Sequence, residues 1–454
     1  MFKEESNMPG IIHFNQTELA SQPVTTWPEE EEANPTKREL PKFYYSGRGG
    51  YAIEHEGGFI PLPNEGQVKQ HLKCYGVGED EAEGQLCAIR LNNYVGYIGP
   101  VAGYKVGEYA SEDSGVKFLV TSAPQIIQAS QGSWSFIHDY LTELLGDGQQ
   151  KEAFLAWLRQ ARINLLAGKR RPLPAAILIG PRNCGKSLLI EVTRLCLGGR
   201  AASAFAYLGG ITNFNGDILG AELLTVDDEV ASHDHRARTA FSQGIKKHLF
   251  AASVRVEAKY KDALNMRPVQ AVMIAVNDEP EHLQVLPIFD DSTADKLSLF
   301  KCAKATLGGL DDRDEIAARI KEELPAFLHH IETTVHPEEL KDKRTGAAAW
   351  QHPDALELLV SISPEERLRE LIKECQVIKN AMAKDGYWKG TATELERNLL
   401  DDAVTCYAAR SLLSWSGACG VFLQRLEGSK KIGVTKTRSN GQNRWTITDP
   451  EPEE

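Results

Sequence analysis

The segment Gly180-Pro181-Arg182-Asn183-Cys184-Gly185-Lys186-Ser187 constrains this chain more than any other, because it fits the spacing G-x-x-x-x-G-K-[ST]. At ordinary residue frequencies a chain of 454 residues meets that pattern by accident only about 0.02 times. The apolar run Ala175–Ile179 ahead of it reads as a buried strand, and Ser187 onward reads as a helix. A strand, a glycine-bounded loop and a helix start in that order turn loop N–H groups and the positive end of the helix toward a phosphate. Lys186 then neutralises the β/γ oxygens and the Ser187 hydroxyl ligates Mg²⁺. The chain is expected to bind a nucleoside triphosphate through Gly180 to Ser187. Cys184 reads as a small residue that the loop tolerates rather than as a nucleophile.

Two further strands carry the groups that hydrolysis needs. In "AELLTVDDEV" an apolar strand, Leu223–Val226, runs into Asp227, Asp228 and Glu229. Asp227 is placed to hold Mg²⁺ through water and Asp228 to polarise the attacking water; Glu229 takes that second role if the strand runs one residue longer. In "AVMIAVNDEP" an apolar strand ends in Asn277, whose amide can bond the γ-phosphate and position the water. Between these strands, in the stretch from Ile245 to Pro268, Lys246, Lys247, Arg255, Lys259, Lys261 and Arg267 outnumber Glu257 and Asp262. "VRVEAKYKDALNM" reads as two strands with Lys259-Tyr260-Lys261 near the turn, offering phosphate contacts and a ring for stacking. Charge alone allows a plain solvated hairpin as well. "SHDHRAR" reads as a helix start capped by Ser232 in preference to a metal site through His233 and His235.

Composition removes several classes. Hydrophobic residues at 42% and charged ones at 25% are globular values. No apolar run approaches a membrane span and no charged-then-apolar leader opens the chain. The eight cysteines form no C-x-x-C pair, which disfavours a zinc site or a disulfide framework and points to a reducing cytoplasm. A net charge of −12 means that nucleic acid, if bound, is met by local basic elements.

The chain divides by texture. Residues 1–40 are an acidic tail expected to be disordered, and 41–130 alternate aromatic runs and glycine turns as a small β-rich domain. Residues 131–172 are helical, broken at Gly146–Gly148. Residues 173–335 alternate strands and helices as an α/β domain with a parallel sheet, 336–386 form a helical linker region, and 449–454 are a second acidic tail. Over 387–448, three short helices precede a hairpin turning at Ser439–Asn440–Gly441, the pattern of a winged helix. Its basic residues Lys430, Lys431, Lys436, Arg438 and Arg444 either lie along a DNA backbone as a wing or simply solvate the hairpin.

The order GPRNCGKS, LLTVDDE, the basic VRVEAKYKDA hairpin and MIAVNDEP resembles superfamily 3 helicases of the AAA+ class. More narrowly it is similar to the primase-helicase proteins of phages, plasmids and integrated mobile elements, over roughly residues 40–450. The resemblance implies an ATP- and Mg²⁺-dependent DNA helicase or translocase in a bacterial cytoplasm, working as a hexameric ring. It implies that Lys259, Tyr260 and Lys261 project into the pore and grip single-stranded DNA, with duplex at the C-terminal module. It also implies a cation reaching the neighbour's triphosphate from one to two dozen residues beyond the amide. Lys296 lies in that window, with Arg267 and Arg313 as alternatives. Neither the paired acids nor the zinc knuckle of a primase is found, so a separate primase or initiator is the expected partner. Two rival readings are an initiator ATPase that melts duplex, and a nucleotide-gated defence or signalling scaffold for which DNA is incidental.

Overall fold

The computed structural model describes residues 39–448, apart from 48–49, 112–113, 169–170, 213–215, 228–234, 252–253, 257–263, 267–268, 288, 290–291, 428–432 and 440. The chain forms two compact units, one through Ala355 and one from Leu356.

The first unit opens with an antiparallel meander of β1 (Phe43–Tyr45), β2 (Tyr51–His55) and β3 (Gly58–Leu62), as the glycine-punctuated sequence leads one to expect. Helices α1 (Glu65–Cys74) and α2 (Glu79–Asn92) cover it. Sequence patterning misses α2, because an acidic start and only Ala82, Leu86 and Ile89 facing the core leave a weak apolar stripe. A second sheet joins β4 (Tyr97–Gly99), β5 (Gly107–Ala110) and β6 (Lys117–Val120) in the order β4-β6-β5.

Helices α3 (Ser135–Leu145) and α4 (Gln149–Ala167) follow. A five-stranded parallel sheet comes next. Its strands are β7 (Ala175–Gly180), β8 (Ala201–Ser203), β9 (Leu223–Asp227), β12 (Ala271–Asn277) and β13 (Leu297–Lys301). Between β7 and β9 run α5 (Lys186–Cys196) and the one-turn helices α6 (Phe205–Leu208) and α7 (Gly216–Leu219). Between β9 and β12 run α8 (His235–Phe250) and the antiparallel pair β10 (Val254–Val256) and β11 (Leu264–Met266). After β12 come α9 (Pro280–Leu283), then α10 (Arg313–Thr333) and a short hairpin of β14 (Lys341–Asp342) and β15 (Gly346–Ala347). The strand order is β13-β7-β12-β9-β8, with every neighbouring pair parallel.

β7 and β12 are buried along their whole length, which is why both read as unbroken apolar runs. The helices read as a separate segment share this core: Phe154 of α4 meets Phe300 of β13 edge-on, and Trp157 donates its indole N–H to the Pro174 carbonyl at 2.7 Å. Each such side chain, fully buried, contributes about 1.5–3 kcal/mol. α4 also buries the charge of Arg162, whose guanidinium meets Glu332 of α10 at 2.6 Å and the carbonyls of Cys196 and Ile127 at 2.8 Å each. The β-rich segment is tied to the sheet by Glu222, which pairs with Arg200 and accepts from the Gly103 N–H at 3.1 Å.

The second unit contains α12 (Pro364–Glu374) and α13 (Gln376–Asp385), which follow α11 (Pro353–Ser361). Strand β16 (Trp388–Gly390), three helices and a hairpin complete it. The helices are α14 (Ala392–Asp401), α15 (Cys406–Leu412) and α16 (Ala418–Glu427); the hairpin is β17 (Gly433–Ser439) with β18 (Gln442–Thr448). The sheet order is β16-β18-β17. A capping box starts α14: Thr391 Oγ1 accepts from the Glu394 N–H, and Glu394 accepts from the Thr391 N–H at 2.7 Å. Residues Leu368, Leu371 and Ile372 of the region read as a linker share one core with Trp388, Phe422 and Trp445.

Candidate phosphate-binding site

Parallel pairing brings the carboxyl ends of β7, β12 and β9 to one edge: Asn277 lies opposite Gly180, and Ala275 opposite Asp227. The loop from Pro181 to Gly185 leaves that edge and turns into α5. Its glycines are forced by geometry. A Cβ on Gly180 would lie 2.4 Å from the Cys302 carbonyl oxygen, and Gly185 has φ +119. Asn183 takes the left-handed region at φ 57, where its short amide is tolerated.

Lys186, only 5% exposed, donates to the carbonyls of Gly180 at 2.9 Å and Pro181 at 2.8 Å, and to Asn277 Oδ1 at 3.0 Å. Asn277 is itself buried. Pro181, Arg182, Asn183 and Ser187 face solvent around this buried contact. The first-turn N–H groups of α5, like those of any helix start, have no intrahelical acceptor, and no side chain caps them. A concave set of N–H donors with one buried ammonium is suited to an anion.

Several bracing residues carry no sequence signal. Tyr140 of α3 donates to the Gly185 carbonyl at 2.9 Å, and its burial raises its pKa. The Ala305 N–H donates to the Cys184 carbonyl at 3.0 Å, while Glu143 of α3 accepts from the Thr306 hydroxyl at 2.8 Å. Hydrogen bonds from the Thr306 N–H, first, and from its hydroxyl hold the Glu143 carboxyl below its ordinary pKa. Lys301, at the tip of β13, bonds Asp278 at 3.1 Å. Cys184 is buried; a hydrogen bond with the Cys302 thiol lowers its pKa and raises that of Cys302.

The other expected groups fall in different places. Asp227 ends β9, half-buried. Asp228, Glu229, Lys259, Tyr260, Lys261, Arg267, Lys430 and Lys431 lie outside the described residues, as do Ser232 and His233, although β10 and β11 pair as the flanks of the basic hairpin. His235 opens α8 and Arg313 opens α10. Lys296 is not beside the loop of its own chain. It precedes Leu297, which pairs with Ala175, so it lies at the opposite edge of the sheet, roughly 17 Å along β7 at about 3.3 Å per residue. There Lys296 pairs with Asp295 and stands 5.2 Å from the centre of the Phe250 ring. Arg344, which carries no sequence signal, covers the same ring at 4.2 Å and meets Asp295 at 3.2 Å. In the second unit Arg438 and Arg444 are exposed, whereas Lys436 donates to Gln424 at 2.6 Å and stands over Trp445.

Residues 178–293, from β7 past β12, match a family of unknown function, DUF5906. No curated protein matches the chain. Among solved structures, the apo structure of NrS-1 C terminal region is similar with a TM-score of 0.54 at 11% identity, covering 90% of this chain and 95% of that one. An A-form apo structure of the same region gives 0.53 at 12% identity, covering 88% and 94%. The likeness establishes a shared fold, mixed α/β with a parallel sheet. No described helix is long and apolar enough to cross a membrane.

Proposed function

We propose that this protein is an ATP-dependent DNA helicase or translocase of the superfamily 3, AAA+ type, serving the replication of a mobile element as a hexameric ring. The observation that carries the reading is the buried contact of Lys186 with Asn277, across adjacent parallel strands and beneath a glycine-bounded loop. The strand order β13-β7-β12-β9-β8, with Asp227 at the next tip, supports it.

In this reading Gly180 to Ser187 hold the triphosphate of ATP. Phosphate oxygens compete with the Gly180 and Pro181 carbonyls for the Lys186 protons. Ser187, and Asp227 through water, would hold Mg²⁺, which would supply charge neutralisation at the β/γ oxygens. Asp228, or Glu229 in its stead, orients the attacking water, and Asn277 senses the γ-phosphate through an amide whose acceptor already touches Lys186. Lys296 and Arg344 sit at the far edge, so either one serves a neighbour's triphosphate rather than its own. The tip Lys259-Tyr260-Lys261 grips single-stranded DNA, and the C-terminal unit, a winged helix in this reading, sets Lys436 and Arg438 against duplex.

Strand displacement with 3′- and 5′-tailed substrates tests this. ATP-dependent displacement is expected, with Lys259→Ala/Lys261→Ala abolishing it while basal ATPase persists, because phosphate contacts dominate non-specific affinity. ATP turnover with melting but no displacement would favour an initiator. An ATPase indifferent to DNA would favour a scaffold.

A further inference from the structure

A second cationic site lies at the edge of the sheet away from the phosphate loop. It is a cavity of about 570 Å³ between α4, the segment leading into β7, and the β14–β15 hairpin. Arg159, Arg171, Lys341 and His336 line it with the amides of Gln160 and Asn164, and no carboxylate is among the lining residues. Lys341 pairs with Glu338 outside it. Glu152 meets His336 Nδ1 at 3.6 Å, an ion-pair contact beyond hydrogen-bond reach.

The cavity is built. Gln160 donates to Asn164 at 2.8 Å, and Asn164 donates to the Arg171 carbonyl at 2.8 Å, fixing the wall that carries Arg171. The hairpin closes over α4 at Gly346, where φ is +80 and a Cβ would fall 2.1 Å from Gln160 Oε1. Asp342 holds the hairpin turn by accepting from the Thr345 N–H at 2.7 Å.

Two of the residues lining it carry buried polar atoms without hydrogen-bond partners. Arg159 Nε is buried with no hydrogen-bond partner, and both ring nitrogens of His336 are likewise buried and unpartnered at 5% exposure of the residue. A guanidinium is always ionised, so a buried N–H of this kind is costly unless an anion completes it. The planar fork of Arg matches phosphate oxygens, and the volume exceeds a lone phosphate ion while suiting a small ligand.

We propose that this cavity binds the phosphate group of a phosphate ester, with Arg159 and Arg171 as its principal ligands. The ester is either a small nucleotide or a stretch of nucleic-acid backbone; the chemistry recognised is the same.

The test uses the full chain carrying Lys186→Ala, which disables the phosphate loop, with labelled histidine. The His336 imidazole resonance is identified by its loss in His336→Gln. A nucleoside 5′-monophosphate and a short single-stranded oligonucleotide without terminal phosphate are titrated separately. At least one is expected to move the resonance saturably, and which one does so identifies the source of the phosphate. Arg159→Gln and Arg171→Gln should each weaken that probe about tenfold, the loss expected for one charged hydrogen bond. Arg159→Lys, which keeps the charge, should weaken it less. Arg171 is exposed, so its variant keeps the test valid if Arg159→Gln fails to fold. A resonance that moves with neither probe, or Gln variants that bind as tightly as the parent, would overturn the proposal.

Discussion

Lys186 Nζ and Asn277 Oδ1 stand 3.0 Å apart across 91 residues of sequence, and both side chains are almost fully buried. The ammonium and the amide are therefore coupled: whatever draws Lys186 away changes what Asn277 can bond. If the site works as proposed, Lys186→Ala removes the cradle cation and nucleotide binding with it. Asn277→Ala should leave binding within a few-fold but lower turnover by about 10²–10³, the usual loss for one positioned polar group. Calorimetric nucleotide titration and a phosphate-release assay separate the two effects. Normal turnover in Asn277→Ala would remove the amide from the mechanism.

Gly180 tests the fit between β7 and the end of β13. An added methyl would meet the Cys302 carbonyl oxygen at 2.4 Å and the Cys302 Cβ at 2.8 Å, and neither is a flexible chain end. Gly180→Ala should cost about 1–3 kcal/mol, as overpacking does, and displace the loop. Gly84→Ala is the contrasting change. That glycine lies within α2 with open space around its Cβ position, so the variant should gain about 0.5–1 kcal/mol. Denaturant midpoints of the two variants should move in opposite directions.

The far-edge cations make the ring testable. Lys296→Ala and Arg344→Ala are each mixed with Lys186→Ala protein under conditions in which subunits exchange. If the residue serves the neighbour, mixed rings contain interfaces with an intact loop facing an intact cation, and ATPase partly returns. Recovery with only one of the two variants identifies the trans-acting group. If neither restores activity in rings shown to be mixed, the cation comes from elsewhere, with Arg267 and Arg313 next in order.

Glu108 joins the two N-terminal sheets, meeting Lys117 at 2.7 Å, Lys42 at 3.1 Å and the Tyr44 hydroxyl at 2.9 Å. The hydrogen bond from Lys117, then those from Lys42 and Tyr44, hold its pKa down to about 2, against burial. A carboxylate with a depressed folded-state pKa stabilises the fold above its unfolded pKa, and that contribution is lost as pH falls toward the folded value. Glu108→Gln should therefore cost on the order of 1 kcal/mol near neutral pH after solvent screening. The difference from the parent should close as pH falls from about 4.3 toward 2. Urea midpoints across that range, read on the N-terminal sheets, would show it. A difference that does not change with pH would mean that the carboxylate's charge contributes nothing.

Local signals alone determined a good part of this protein. The loop from Gly180 to Ser187, the strand ending at Asp227 and the strand ending at Asn277 were legible because each is a contiguous run with a buried period and a polar tip. The same holds for the meander of β1 to β3, the break between α3 and α4, and the hairpin of β17 and β18, whose glycines and apolar stripes act over a few residues.

What sequence could not supply is whatever depends on which elements become neighbours. Only the parallel register puts Asn277 beside Gly180, and Lys296 at the opposite edge from the loop it follows in sequence. Arg344 gained its place beside Phe250, and Tyr140 its bond to the Gly185 carbonyl, from contacts between segments far apart in the chain. The unpartnered Arg159 Nε looks in sequence like one more polar residue on a helix. Spacing along the chain specifies which groups can stand on one face, whereas burial and pairing arise only when faces meet, and those determine whether a charge is a solvated ornament or a site.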